Sequence, residues 1–548
     1  METLLEKPPG LNPLMSFNKY KRALSQVKAG DFSAAARTLT SLGTVATETC
    51  LEELKRLHPD ADLPQKPRFS SSMPLDKESF TQAVKHLKKK KAMDAAGWRA
   101  EFLKVLNNKA LNTLEEVCEL IIKEEELVPE SIRPYFFGAR LIAISKGENK
   151  GVRPIAIGTV LRKVISSAIA INVKSRLPSF FGPCQCGVGM PGGAENVVHG
   201  VRMLLEDNPG SVVVSLDLSN AFNTVSRSAF VGLVEEHFPE LASWIWRCYG
   251  AKQFLLLKGQ EPLLSAAGVQ QGDPLGPFLF CLAVHPVLKK LARSVVPLAY
   301  MDDIYLVSDN VERLKEAVLA LKDDLEKLNL KVNFNKCRTT RQVPGLEEIA
   351  VDKELKVLGV PLSVDADRGP LDKETGYLIE EIVKLEDTQA ALLLLRNVHN
   401  TTPVFSLRTS SPAANSQCVK DIHNKTFNSL AAILNCKVGQ LSEKEILARI
   451  HLPTGPGLGF VDLRKVAEPA YCAAWLQAVH RLSQFKDGPF HLPRYPEPHG
   501  TYQELAAKAL ANKDLIESDP FIHLQHFIAG KVLSEESKKA YESLSSTT

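Results

Sequence analysis

The stretch LAYMDDIYLV, residues 298–307, constrains this chain more than any other. Apolar residues lead into and out of two adjacent aspartates, the pattern of an apolar hairpin with carboxylates at its tip. Asp is common in turns, and a solvated pair would be the ordinary reading. A second feature changes the balance. The β-branched run SVVVSLDLS (211–219) reads as a buried strand with Asp217 at its end. If this strand and the hairpin pair in one antiparallel sheet, Asp217, Asp302 and Asp303 meet at one edge. Three carboxylates so placed would repel one another, and a divalent cation would relieve them. In-line phosphoryl transfer with two cations needs such a set, held on rigid strand ends.

Composition sets the frame. A chain of 548 residues is too long for one ordinary core, and 44% hydrophobic with 24% charged residues is usual for a globular protein. The net charge of +4 is only a weak pointer to a polyanionic partner. Ten cysteines are scattered without Cys-x-x-Cys spacing, which argues against a structural zinc and fits reduced thiols in an intracellular protein, nuclear or cytoplasmic. The N-terminus METLLEKPPGLNPL has no apolar core of a signal peptide. The longest apolar run, 274–288, is broken by prolines and a histidine, so no membrane span is expected.

Along the chain, residues 17–57 read as short amphipathic helices and 59–74 as a Pro/Ser-rich linker. From about residue 75 the pattern is mixed α/β. FTQAVKHLKKKKA reads as a basic helix, RLIAISK and RPIAIG as two strands, and LRKVISSAIAINVKSRL as a helix. PLGPFLFCLAVHPVLKKLA reads as a buried helix, and in VERLKEAVLALKDDLEKLNL the residues Leu314, Val318, Leu321, Leu325 and Leu328 share a face. Beyond about 365 the chain is mainly helical, with a polar stretch at 397–417 that reads as an exposed loop.

The order of motifs carries more than any one of them. Asp217 is followed by LSNAF, then GVQQGDPLGP, YMDD, NFNKC and VLGVPL; before it stand KKKAMDAAGWRAEFL, LIAISKGENKGVRPIAI and CQCGVGMPGG. From about 85 to 362 this series resembles the reverse transcriptases, within them the non-LTR (LINE-type) retrotransposon branch. The resemblance implies an α+β right-hand polymerase: N-terminal helical extension and linker 1–75, fingers 76–210, antiparallel-sheet palm 211–362, helical thumb 363–480 and C-terminal helical tail 481–548. It implies extension of a DNA primer on an RNA template with dNTPs, using two Mg²⁺ ions for which Mn²⁺ could substitute. Oligomeric state is not fixed by these motifs.

Residue by residue, Asp217, Asp302 and Asp303 match the metal-binding aspartates, with the Leu218 carbonyl as a further ligand. Phe222 matches the aromatic gate that excludes a 2′-hydroxyl. Gln271 and Gly272 match the loop over the incoming nucleotide, and Arg153 and Lys146 (with Lys150 a rival in the same loop) the residues that grip the triphosphate. Lys336 matches the lysine that protonates pyrophosphate, and Leu358 and Gly359 lie in the primer-grip segment. Each has an ordinary competitor: turn aspartates, a core Phe, a surface Lys, or a helix N-terminus with Asp273 as cap and Pro274 in its first turn. The run KHLKKKKA (85–92) suits a nucleic-acid backbone, a solvated helix face or a nuclear-import patch equally.

The first fingers motif departs from the family with DAAGW, and Asn223 and Gln270 stand where Asp and Arg are common. None of these removes a metal ligand or the gate. Neither the residues before the fingers nor those after about 480 carry a recognisable endonuclease, so the expectation is a chain that copies but does not cut. The rivals are an RNA-dependent RNA polymerase and a domesticated, inactive RNA-binding scaffold.

Overall fold

The computed structural model describes residues 13–485 except 42–44, 46, 70–74, 90, 92, 148–150, 364–372 and 436–456; the helical tail expected beyond 485, and Lys150, lie outside the described residues. Among the described residues the chain divides into two compact units, one of residues 13–41 and 359–480, the other of 45–358 and 481–485.

Among the described residues the larger unit holds twelve strands: β1 (Ala139–Ser145), β2 (Val152–Gly158), β3 (Val212–Leu216), β4 (Leu218–Ser219), β5 (Gln253–Leu256), β6 (Leu263–Ser265), β7 (Val296–Tyr300), β8 (Asp303–Ser308), β9 (Lys331–Val332), β10 (Arg338–Thr339), β11 (Ala350–Val351) and β12 (Lys356–Val357). Four form one sheet in the order β2-β1-β5-β6, and five form another in the order β11-β10-β3-β8-β7. RLIAISK and RPIAIG are therefore β1 and β2, an antiparallel pair running from Ala139·Gly158 to Ser145·Val152.

In the five-stranded sheet β3 and β8 are central, and their sequences show why. Val212, Val213 and Val214 are fully buried, and in β8 Ile304 and Leu306 on one face and Tyr305 and Val307 on the other are all buried, so both faces of each strand are covered. The helices Gly276–Leu291 and Val311–Glu326 supply much of that cover. Leu314, Val318, Leu321 and Leu325 are buried along one face of the latter, and Leu328 packs against the same core, as the spacing predicts. Each such side chain contributes about 1.5–3 kcal/mol by leaving water.

The smaller unit is helical. Pro13–Lys28 and Phe32–Thr40 share a core with Lys373–Val383, Thr388–Asn397 and Ser416–Ile433, through Leu39, Ile382, Leu394 and Leu430 among others. Among the described residues no helix is long and apolar enough to cross a membrane.

Three local expectations are corrected. The basic helix ends early: it spans Lys77–His86 and closes on Leu87, whose ψ of 130° leaves the α region, so Lys88, Lys89 and Lys91 follow the helix instead of lining it. Asp273 does not cap the helix that follows. That helix begins at Gly276 with Pro277 in its first turn, while Asp273 Oδ1 accepts from the Leu275 N–H at 3.0 Å in a preceding turn. Finally, 397–417 is no exposed loop. It contains the helix Val404–Thr409 and buries Thr409, Ser410 and Asn415, because the Asn415 amide donates to the carbonyls of Ser406 (3.1 Å) and Ser410 (2.9 Å). A fully paired Asn can be buried at little cost, which polarity alone does not reveal.

Candidate active site

Strand register decides whether the carboxylates meet. β3 pairs antiparallel with β8 from Val212·Ser308 to Leu216·Ile304, so one step further Asp217 stands at the level of Asp303. β7 and β8 close a hairpin in which Tyr300 faces Asp303, leaving Met301 and Asp302 as a two-residue loop. All three aspartates thus reach one edge of the sheet.

Their electrostatics agree. Burial, and then the charge of Asp217, pushes the Asp302 carboxyl above its ordinary value, against a counter-pull from Arg153. Asp303 keeps one side open to solvent, yet burial of the other and the charges of Asp302 and Asp217 push it up to about 6. Lys336 Nζ lies 3.7 Å from Asp217 Oδ1 and is the positive charge in contact with that carboxylate. Among the described residues no group of three or more acidic, His or Cys side chains is arranged to hold a metal ion by itself. The donors still suit a small hard cation. They are carboxylate oxygens under mutual repulsion, and Mg²⁺ is usually held by one or two carboxylates plus substrate phosphates and water.

The backbone at Asp217 is locked from behind. Its N–H donates to Cys337 Sγ (3.5 Å), the Cys337 thiol donates to the Asn333 carbonyl (3.3 Å), and the Asn333 N–H donates to the Asp217 carbonyl (2.9 Å). The last bond makes Leu218·Val332 of β4 and β9 a non-hydrogen-bonded pair, which turns the Leu218 carbonyl away from β9.

Phe222 is half-buried and stacks on Phe280, ring centroids 4.7 Å apart and planes 16° from parallel. A ring so supported is a rigid wall. Gln271 and Gly272 are fastened to β2: the Ala156 N–H donates to the Gln271 carbonyl at 3.0 Å. Gly272 has φ 127°, and a Cβ there would stand 2.5 Å from the Ala156 carbonyl oxygen, so only glycine fits. Arg153 and Lys146 are exposed at the β1–β2 hairpin, and the influence of Arg153 on Asp302 puts it within electrostatic reach of the carboxylates. Leu358 and Gly359 have φ of 49° and 78°, the signs of a tight turn, and the Leu358 N–H donates to the Tyr305 hydroxyl (2.8 Å).

Behind Gln271 and Gly272 lies a buried network that sequence reading missed. Arg162 Nη2 meets Asp273 Oδ2 at 2.6 Å with both side chains 2% exposed, and the Tyr249 hydroxyl donates to the same oxygen at 2.9 Å. Two guanidinium groups stand over the Tyr249 ring, Arg162 at 5.1 Å and Arg227 at 5.3 Å from its centre. Only the unexpected Arg in the helix 160–173 could have signalled it, since Arg is seldom fully buried without a partner.

Residues 144–362 match the family model described as "Reverse transcriptase (RNA-dependent DNA polymerase)". Curated relatives include the Pol polyprotein of a type-1 R2 retrotransposable element of Nasonia vitripennis, 27% identical over 27% of this chain and 15% of that one. The TX1 transposon 149 kDa protein of Xenopus laevis is 25% identical over 60% of this chain and 27% of that one. Residues 144–362 are a reverse transcriptase domain of the non-LTR retrotransposon kind. Over these residues the fold is accordingly the α+β one of a right-hand polymerase, and polymerases of this family depend on a divalent metal. The chain spans 15% and 27% of the length of those two relatives. An apo telomerase of Candida tropicalis aligns over 77% of each chain at 13% identity with a TM-score of 0.36.

Proposed function

We propose that this chain is an RNA-directed DNA polymerase that extends a DNA primer 3′-hydroxyl on an RNA template with dNTPs. The register that brings Asp217 to the Asp302–Asp303 tip is the observation that carries the reading. Asp217, Asp302, Asp303 and the Leu218 carbonyl would hold two Mg²⁺ ions, with Mn²⁺ as a substitute. Such ions, when bound, lower the pKa of the primer hydroxyl and shield the triphosphate.

The remaining roles belong to side chains of this chain. Arg153 offers a fork to two phosphate oxygens and Lys146 a point charge, both from the exposed hairpin end. Phe222, backed by Phe280, fills the space a 2′-hydroxyl would need. Gln271 and Gly272 bound the opposite side of the nucleotide. Lys336, beside Asp217, is placed to give a proton to the leaving pyrophosphate. Leu358 and Gly359 would seat the primer end. In this scheme 76–210 acts as fingers, 211–362 as palm and 363–480 as thumb.

The test is primer extension on poly(rA)/oligo(dT), comparing native protein with Asp302→Asn. The reading requires dTTP-dependent extension by the native protein that falls at least about a thousandfold in the variant. Equal background in both would favour a binding scaffold, and preference for UTP would make it an RNA polymerase.

A further inference from the structure

Met301 precedes the catalytic aspartates in the hairpin loop and has φ 56°, a conformation that side chains other than Gly, Asn and Asp avoid. Something must hold it there, and one side chain does. Gln185 is fully buried; its Oε1 accepts from the Met301 N–H at 2.8 Å, and its Nε2 donates to the Met301 carbonyl at 3.1 Å. The same Oε1 accepts from the Gly187 N–H at 2.9 Å. One amide group therefore brackets both backbone polar groups of the residue next to Asp302.

Gln185 is itself placed by the sheet. Residues 184–186 run parallel to β7, with Gln185 bridged to Ala299: the Ala299 N–H donates to the Cys184 carbonyl and the Cys186 N–H to the Ala299 carbonyl, both at 2.8 Å. The approach is so close that a Cβ on Gly187 would lie 2.5 Å from the Met301 nitrogen. Within the motif CQCGVGM, which a linear reading assigns to the fingers, residues 184–186 thus make one parallel bridge to β7 of the five-stranded sheet, beside the carboxylate tip.

We propose that Gln185 is a positioning residue for polymerisation: its amide holds Met301 in the left-handed conformation and so fixes the direction in which Asp302 and Asp303 leave the hairpin. This rests on the polymerase reading above. A buried amide that merely satisfied edge groups would affect folding alone. A clamp on the tip affects the chemical step, because a carboxylate displaced by about 1 Å costs on the order of a hundredfold in rate.

Gln185→Met keeps the length of the side chain and removes all three hydrogen bonds. In single-turnover extension, the amplitude reports the fraction of folded, competent protein and the rate constant reports the site. The clamp requires the rate constant to fall about 10–100-fold and the Mg²⁺ half-saturation to rise severalfold. Adding Met301→Gly, which adopts φ 56° freely, should recover part of the lost rate relative to Gln185→Met alone. A reduced amplitude with native rate constant and native Mg²⁺ half-saturation overturns the proposal.

Hydrogen exchange on the native protein serves if Gln185→Met does not fold. The Met301 amide must then be protected as well as the β7–β8 ladder, and exchange at the speed of an open turn overturns the clamp. That readout is independent of activity. Absence of extension by the native protein would count against the polymerase reading and leave the clamp to be judged by exchange.

Discussion

Replacing Asp273 by Ala should be among the most damaging single changes in the larger unit, although Asp273 is no metal ligand. Its carboxylate neutralises Arg162 at 2.6 Å inside the protein, with both groups 2% exposed, and also takes the Tyr249 hydroxyl. Burial, and then the Asp273 charge, already pushes the Tyr249 hydroxyl well above its ordinary value, so Tyr249 stays a neutral donor. Without Asp273 the Arg162 guanidinium stays buried, still donating to the Phe137 backbone carbonyl but with its charge unbalanced. Breaking such a pair costs about 3–5 kcal/mol, most of it from the stranded charge. Arg162→Met should cost a similar amount by stranding the carboxylate. The double variant removes both charges together and should lose about 2–3 kcal/mol less than the sum of the singles. Urea unfolding followed by the fluorescence of Trp244, buried and 5.9 Å from Phe137, measures all three. Additivity within about 0.5 kcal/mol would refute the argument, since it would mean the two charges do not depend on each other. Asp273 also anchors the turn that carries Gln271 and Gly272, so Asp273→Ala should raise the KM for dNTP about tenfold, or about 1.4 kcal/mol.

Two further outcomes follow from the same reasoning. Phe222→Ala should narrow the preference for dTTP over UTP by at least about tenfold in single-nucleotide extension, and Phe280→Ala should do so more weakly, because Phe280 only backs the gate. In the smaller unit the buried Glu381 takes Lys19 at 2.7 Å, Lys384 at 2.8 Å and the Tyr20 hydroxyl at 2.9 Å. Burial raises its pKa, but these three hydrogen bonds outweigh burial and hold it below its ordinary value of 4.5. A depressed carboxylate contributes stability that is present above pH 4.5 and lost as pH falls through the lowered folded value. Thermal unfolding of Glu381→Gln should therefore show a reduced Tm at neutral pH and a smaller further loss in acid than native protein.

What the sequence disclosed was whatever depends on pattern within one element or on motif order. Buried strands announced themselves through VVV and IYLV, and the helix 311–326 through its leucine spacing. Asp217, Asp302 and Asp303 could be proposed together because β3 and the β7–β8 hairpin each carry their carboxylates at a strand end. Long-range side-chain pairing was hidden. Nothing near Arg162 in sequence points to Asp273, and nothing in CQCG points to Met301, more than a hundred residues away in each case. Asn415 and the end of the basic helix at Leu87 were misjudged because composition reports polarity and charge but not whether a polar group finds partners.

Counting ions tests the account at its root. With template–primer and a non-hydrolysable dNTP bound, Mn²⁺ titration followed by electron paramagnetic resonance should find two site-bound ions on native protein. It should find at least one fewer on Asp217→Asn and on Asp302→Asn, with nucleic-acid affinity unchanged. Native stoichiometry in Asp217→Asn would mean that Asp217 and the 302–303 tip share no cation, and the site would have to be sought elsewhere.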